Sequence, residues 1–556
     1  MADLPEVIGL LHRADWTRLS LSAEVRFERD RDLLHSRMSA QLPAFYRNIG
    51  TRTRARMRMR TSQSDRAALL IAPGGRYRLE RQGEDELIQG NDGQRRWVSW
   101  WPRPSDRPPV EAAFGHEQPV PGLFGPQDLL VGHVVEVLGP VTVGSRDAIA
   151  ITATPRAGQP LQLHDRVEAA VDAELGIVLR REETFEGQLL TFTELANVTL
   201  NPPEAADPAR YTAPPGSRNA DEPWQPSSGP DGKTKNVMDL AAGGLGALIK
   251  HAPHFPGHRA DPEPEPAEAA MPTPDPDVLA AEDGSASGDL LYLLYRSGEP
   301  HDLAASMHEW RDGAVMMARL TQTIRDLGAG GFGSLIEAMP SATTVTRADA
   351  RFRISGPDRY RVDYARHDDR RVARVIACDG ERRWQVYQDR TLTGPAGPLG
   401  EPVAYLVDTN WLLRCRLSAA LDITYRGRRA RQLRVAGPDG AEFLSVGPLM
   451  FFPADAIVDA ETGCLLRLIS YVGDAPAAWW ELDDISTEPG DQDDFQFAVP
   501  PGTRVVEETG NPFTDTAAVM PGLAGTAART AVEAVSRTHS AVSAARSFLD
   551  DLRGGR

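Results

Sequence analysis

Few residues in this chain have the type and spacing for chemistry. HAPHFPGH sets His251, His254 and His258 close together, a spacing that could offer metal ligands. Pro253 and Pro256 break any helix there, and no cysteine or carboxylate completes a tetrahedral set nearby, so a linker edge is the stronger reading. GAGGFGSL (Gly328 to Leu335) is glycine-rich, but no Lys-Ser/Thr follows it to hold a phosphate. Asp483 and Asp484 are adjacent, so on a strand they face opposite sides and make a poor acid/base pair. No GxSxG, HExxH or P-loop is present. The expectation is a protein that is not an enzyme, with no cofactor and no metal.

One further stretch, TRTRARMRMR, places Arg52, Arg54, Arg56, Arg58 and Arg60 on one face of a strand, ~6.7 Å apart. We read it first as a solvated face and second as a contact for anionic headgroups or an acidic partner. Nucleic acid ranks last, because no aromatic residues interleave to stack bases. The chain of 556 residues carries a formal charge of −17 and a pI near 5.3, which also repels nucleic acid. Its three cysteines, Cys378, Cys415 and Cys464, form no C-x-x-C pair and point to a reducing, cytoplasmic compartment. Neither a secretory signal nor a transmembrane run is evident.

The elements that would position a site come from self-similarity. NDGQRRWVSW is answered by CDGERRWQVY, VDAELGIVLR by VDAETGCLLR, and FTELANVTLNP by WWELDDISTEP. Asp92 to Asp379, Val171 to Val458 and Glu194 to Glu481 share one offset of 287 positions. GRYRLER echoes DRYRVDY, and YTAPPG echoes FAVPPG; LLHRADW resembles LLYRSGE with a gap. A repeated domain follows: a first copy over 1–217, a linker and apolar helix over 218–252, and a Pro/acidic linker over 253–288. The second copy spans 289–505, and a helical tail covers 506–556.

Within each copy the dominant period is two. Tyr77 and Leu79 alternate with Arg76, Arg78 and Glu80, and Tyr360, Val362 and Tyr364 with Arg359, Arg361 and Asp363. Asp92-Gly93 and Asp379-Gly380 supply hairpin turns before the next strand, and Gly176 and Gly463 can take positive φ. The expected fold class is α+β. Each domain would be a curved antiparallel sheet, an open half-barrel, wet on one side and covered by helices on the other. Leu4 to Leu11 and Met316 to Leu327 are the expected covering helices, together with the trailing segments 236–251 and 517–552.

These residues resemble the lipoprotein-carrier superfamily, that is, the Lol-type carriers of outer-membrane lipoproteins and RseB-like and LppX-like domains. The resemblance rests on R-Y-R (Arg76 to Arg78; Arg359 to Arg361), D-G-x-R-R-W (Asp92 to Trp97; Asp379 to Trp384) and VDAxxG-x-x-LR (Val171 to Arg180; Val458 to Arg467). It implies an unclosed barrel with helices plugging its apolar side, and acyl chains entering between sheet and helices. The missing signal peptide and the tandem plan depart from the plain carrier. The expected function is non-enzymatic binding of a hydrophobic or lipid-like ligand, with Tyr77, Trp97, Tyr360 and Trp384 lining the cavities. The alternative is a regulatory or scaffold protein that uses the same fold to bind a protein partner.

Overall fold

The computed structural model describes residues 2–30, 32–34, 36–37, 62–82, 87–100, 120, 122–156, 163–215, 217–219, 286–299, 302–316, 318–319, 345–356, 358–367, 374–387, 390–397, 399, 402–437, 443–446, 449–499 and 501–508. The arginine comb, the histidine trio, the Gly328 to Leu335 loop, the acidic linker, the 236–251 and 517–552 helices, and most of Met316 to Leu327 lie outside them.

The chain begins with α1 (Leu4–Arg13), capped by Asp3, whose carboxylate accepts the Glu6 N–H at 3.0 Å. Its apolar stripe, Val7, Ile8 and Leu11, is fully buried. The first half then forms β1 (Leu21–Asp30), β2 (Ser62–Ala72), β3 (Arg76–Gln82), β4 (Leu87–Asn91) and β5 (Arg96–Trp100). Helix α2 (Gln127–Gly132) precedes β6 (His133–Val143), β7 (Arg146–Pro155), β8 (Arg166–Asp172), β9 (Val178–Phe185), β10 (Gln188–Leu200) and β11 (Arg218–Asn219).

The second half opens with α3 (Gly288–Arg296), capped by Ser287, with Leu290, Leu291, Leu294 and Tyr295 buried. This is the covering helix that opens the second half; of the expected Met316 to Leu327 helix only Met316, Ala318 and Arg319 are described, and these are helical too. LLYR fills the role that LLHR fills in α1. Strands β12 (Asp302–Asp312), β13 (Val345–Ser355), β14 (Arg359–His367), β15 (Val375–Asp379), β16 (Arg382–Val386) and β17 (Arg390–Pro395) follow. After α4 (Val403–Val407) come β18 (Arg416–Leu417), β19 (Leu421–Tyr425), β20 (Arg428–Ala436), β21 (Phe443–Val446) and β22 (Leu449–Phe451). The last strands are β23 (Ala454–Asp459), β24 (Leu465–Val472), β25 (Ala475–Ser486) and β26 (Arg504–Glu507).

Two large open sheets result, antiparallel apart from one edge. The first runs β11-β5-β4-β3-β2-β1-β10-β9-β8-β7-β6, and the second β18-β20-β23-β24-β25-β12-β13-β14-β15-β16-β17-β26 with β19 also on β20. From β5 to β7 and from β16 to β20 the two paths are the same, strand for strand. The second sheet adds β17 and a parallel β26 at its far edge, while β21 and β22 form a separate hairpin.

The repeated turns explain how each helix is seated. Gly93 and Gly380 have φ of 96° and 99°, and Gly176 and Gly463 have φ of 72° and 76°. A Cβ on Gly176 would stand 2.2 Å from the Leu10 carbonyl oxygen of α1, and one on Gly463 would stand 2.9 Å from that of Leu293 in α3. Each VDAxxG turn is thus the floor on which a helix backbone rests, and only glycine leaves the room. The aspartate of the same motif locks the turn. Asp172, fully buried, accepts the N–H groups of Glu174 (2.9 Å) and Leu175 (2.8 Å) and a two-point contact from Arg146. Asp459 accepts those of Glu461 and Thr462 and pairs with Arg428. Burial alone would raise both carboxyl pKa values, but the arginine and the turn N–H groups hold them below the usual range.

The two halves share one core. A single apolar cluster contains Ile8, Leu11, Leu21 and Leu129 of the first half with Leu290, Leu294, Met307 and Leu412 of the second. Polar contacts cross the same seam. His12 Nε2 lies 3.2 Å from the Cys415 carbonyl, and Asn410 donates to the Val131 carbonyl at 3.1 Å. Arg156 donates both to the His133 carbonyl and, at 2.9 Å, to that of Tyr295, whose ring it also covers. The Val135 N–H donates to the Tyr295 hydroxyl at 2.6 Å.

Candidate functional site

Tyr77 and Tyr360 sit on the helix-facing side, whereas Trp97 and Trp384 sit on the opposite face of their sheets, in register with Arg78 and Arg361, and three of the four are used up in packing. Tyr77 is 3% exposed and meets the Trp16 ring edge-on at 5.9 Å. Trp97 is 1% exposed, and its indole N–H donates to the Tyr211 carbonyl at 3.0 Å. Tyr360 is fully buried and donates to the Gly397 carbonyl at 3.0 Å; burial raises its pKa to about 12. Trp384 alone is half-exposed, with Phe497 at 5.9 Å.

The different burial of the two tryptophans has a local cause. Trp97 faces Gly90 across the ladder, and its ring occupies the space where a Cβ would stand, 2.5 Å away. Trp384 faces Ala377, whose methyl takes that space and leaves the ring outside. The second echo completes the picture: Tyr211 of YTAPPG touches Trp97, and Phe497 of FAVPPG touches Trp384.

The helix-facing side of the first sheet also carries a polar network. His133 and His164 stack at 5.1 Å with their Nε2 atoms 2.8 Å apart. Glu183 pairs with Arg181 at 2.7 Å and accepts the Thr191 hydroxyl at 2.9 Å. Burial lowers the His133 pKa to about 4, helped by His164 and Arg181, and lowers that of His164 as well. The network is an ion pair beside a neutral imidazole pair, and no group of three metal-ligating side chains forms among the described residues. A cavity of about 170 Å³ lies between α1 and α3, lined by Pro5, Glu6, Arg13, Asp289 and Leu291; another of about 30 Å³ lies by Phe27, Asp65 and Arg81.

The opposite faces of the two sheets differ strongly. Across β7, β8, β9, β10 and β1 one row reads Thr152, Glu168, Glu182, Phe192, Glu28. The matching row across β20, β23, β24, β25 and β12 reads Arg434, Asp455, Ile469, Trp479, Trp310. The next row changes from Ala150, Ala170, Arg180, Glu194, Arg26 to Gln432, Ile457, Arg467, Glu481, His308. In the second half arginines alternate with rings: Arg434 over Tyr471, and Arg467 over both Trp479 and Tyr425. The turn after β19 leans over this face, so that Tyr425 and Arg426 both reach Glu481. Among the described residues, Asp455 Oδ2, the Tyr471 hydroxyl and Trp479 Nε1 are buried there without a partner in hydrogen-bond geometry. The hydroxyl is close enough to act on Asp455 without meeting hydrogen-bond geometry, and burial raises the Asp455 pKa. In the sequence Trp479 stands within the repeated segment WWELDDISTEP, opposite Phe192 of the first copy. The available signal was the change of residue type at a fixed offset.

Among the described residues no further strand pairs with the ends of the sheets. Val134 (51% exposed) and Leu138 (53%) lie on β6, and Val505 (50%) on β26, the outermost strands of the first and second sheets. Glu136 is exposed between the two β6 residues on the same face.

No family model and no curated protein matches the sequence. Among solved structures the chain is similar to MucB, 15% identical over 41% of this chain and 70% of that one, with a TM-score of 0.28. The complex of Pseudomonas aeruginosa MucA/MucB gives 15% identity, 41% and 68% coverage and a TM-score of 0.26. A LolA-superfamily protein from Nitrosomonas europaea gives 9%, 38%, 99% and 0.18. Similarity this slight carries no functional argument, and the half-barrel description rests on the strand order itself.

Proposed function

We propose that this is a non-enzymatic binding protein that takes an extended polypeptide as an added strand on the open edge of β6. The observation that carries the reading is the exposed apolar pair Val134 and Leu138 on an outermost, eleven-residue strand. An edge of that kind pairs with another chain through its backbone and reads alternate side chains. Glu136 between the two calls for a basic residue flanked by apolar ones in the incoming strand. Tyr295 already takes one outward N–H of this edge, that of Val135.

Carriage of a lipid-like ligand is the second reading, with Tyr77, Trp97, Tyr360 and Trp384 as its lining. The packing of the first three supports polypeptide binding over it. Three free, buried cysteines support the cytoplasmic placement, which we retain as part of the proposal.

The test pairs two measurements. The Val134→Lys/Leu138→Lys protein should lose capture of a synthetic peptide of alternating apolar residues around a central lysine by tenfold or more. Delipidated wild type should leave a fluorescent fatty-acid probe free. Saturable, stoichiometric uptake of the probe with unchanged peptide capture in the variant would reverse the conclusion.

A further inference from the structure

We propose that the seam between the halves is an acid-sensitive latch in which His12, backed by His133, is the pin: protonation parts the halves while each keeps its own fold. His12 closes α1 and is the one imidazole among the described residues that bonds directly across the seam, to the Cys415 carbonyl at 3.2 Å. A neutral ring can make that bond through Nε2–H. A charged ring is disfavoured by its packing, which lowers the pKa to about 4, with Arg13 adding to the effect.

Of the groups around it the Cys415 carbonyl alone favours a positive charge, and burial outweighs it. On its own helix the neighbour is Arg13; from α2, Gln127 donates to the His12 carbonyl at 3.4 Å. Asp128 is the carboxylate that α2 carries, and it is already paired across the seam with Arg414 at 3.0 Å. His133 stands behind the second crossing point. Its carbonyl accepts Arg156, which reaches on to Tyr295, and its Nδ1 is buried, with the Asp128 carbonyl acting on it but no partner in hydrogen-bond geometry among the described residues. Facing its ring and that of His164 are Arg181, Glu183 and Asp165, and Glu183 is committed to Arg181.

The sign follows from the lowered values. Both histidines bind a proton less readily in the closed seam than a free imidazole near pH 6.5. Closure is therefore unaffected above about pH 6.5 and loses ground as pH falls from there towards 4. At pH 5 the open fraction should rise by up to about thirtyfold for each pin that opening frees.

Cys415 reports the event, because it lies in the seam at 3% exposure while Cys378 and Cys464 are fully buried within the second half. The intact chain is treated with a pyridyl disulfide, which reacts at acid pH, and the modified peptides are counted by mass spectrometry. Between pH 7.5 and 4.5, Cys415 should become labelled while Cys378 and Cys464 stay protected. His12→Gln keeps a donor for the Cys415 carbonyl but cannot charge, and should lose most of that rise; Arg13→Gln should shift it to lower pH. No labelling of Cys415, joint labelling of all three cysteines, or a His12→Gln profile equal to wild type would each overturn the latch. Labelling of His12→Gln at pH 7.5 would also overturn it, since the seam would then depend on the ring's shape and not its charge.

Discussion

The two halves follow one strand order and one set of turns, yet they spend their residues differently. On the face away from the helices the first half hides its tryptophan over Gly90 and otherwise presents Glu28, Glu168 and Glu182. The second half leaves Trp384 half-exposed over Ala377 and covers that same face with Trp310, Trp479 and Tyr471 between arginines. What stays equal is the machinery for seating a helix: the Asp–Arg lock and the glycine floor. What varies is how many aromatic residues the face away from the helices carries and how deeply they are buried. The difference teaches that turn chemistry fixes this architecture, while sheet faces remain free to specialise.

The largest effect should come from the locks. Asp172→Ala and Asp459→Ala each leave a largely desolvated arginine without its carboxylate and should cost about 3–5 kcal/mol, read by urea denaturation. Because both carboxyls titrate below the usual range, this stabilisation is present above about pH 4 and is lost as pH falls through the lowered values. Unequal costs would break the comparison. Gly176→Ala should follow at roughly 2–4 kcal/mol, through positive φ and the collision with α1. Gly463→Ala should cost about 1 kcal/mol less, since its floor lies 2.9 Å below α3 against 2.2 Å below α1. The smallest effect sharpens the contrast of the tryptophans. Gly90→Ala should expel the Trp97 ring at a cost of about 1–3 kcal/mol and shift fluorescence to the red. Ala377→Gly should let Trp384 settle inward and shift it to the blue, with about 1 kcal/mol lost to backbone entropy.

Much of the fold was legible because turns are local. Asp-Gly pairs and VDAxxG fix backbone conformation within six residues, and the structure places Gly93, Gly380, Gly176 and Gly463 in the positive-φ conformations those motifs require. The covering helix of the second half was visible as LLYR but was overshadowed by a longer helical pattern near Met316. The site was less legible. Period-two patterns tell which residues share a face, and Tyr77 and Tyr360 do face the helices. They do not tell whether the space there is filled, which depends on Trp16 and Gly397 arriving from distant segments. The joint between halves was invisible for the same reason: His12 and Cys415 meet across 403 positions.

The continuity of the core through both halves makes the peptide connection between them dispensable for cohesion. Proteolysis within 221–285 should yield two pieces that stay associated through gel filtration at neutral pH, and separately produced pieces should reconstitute the pair. Substitutions tolerated on one side of the joint are then constrained by the other, so that each half becomes part of the solvent in which its twin folds.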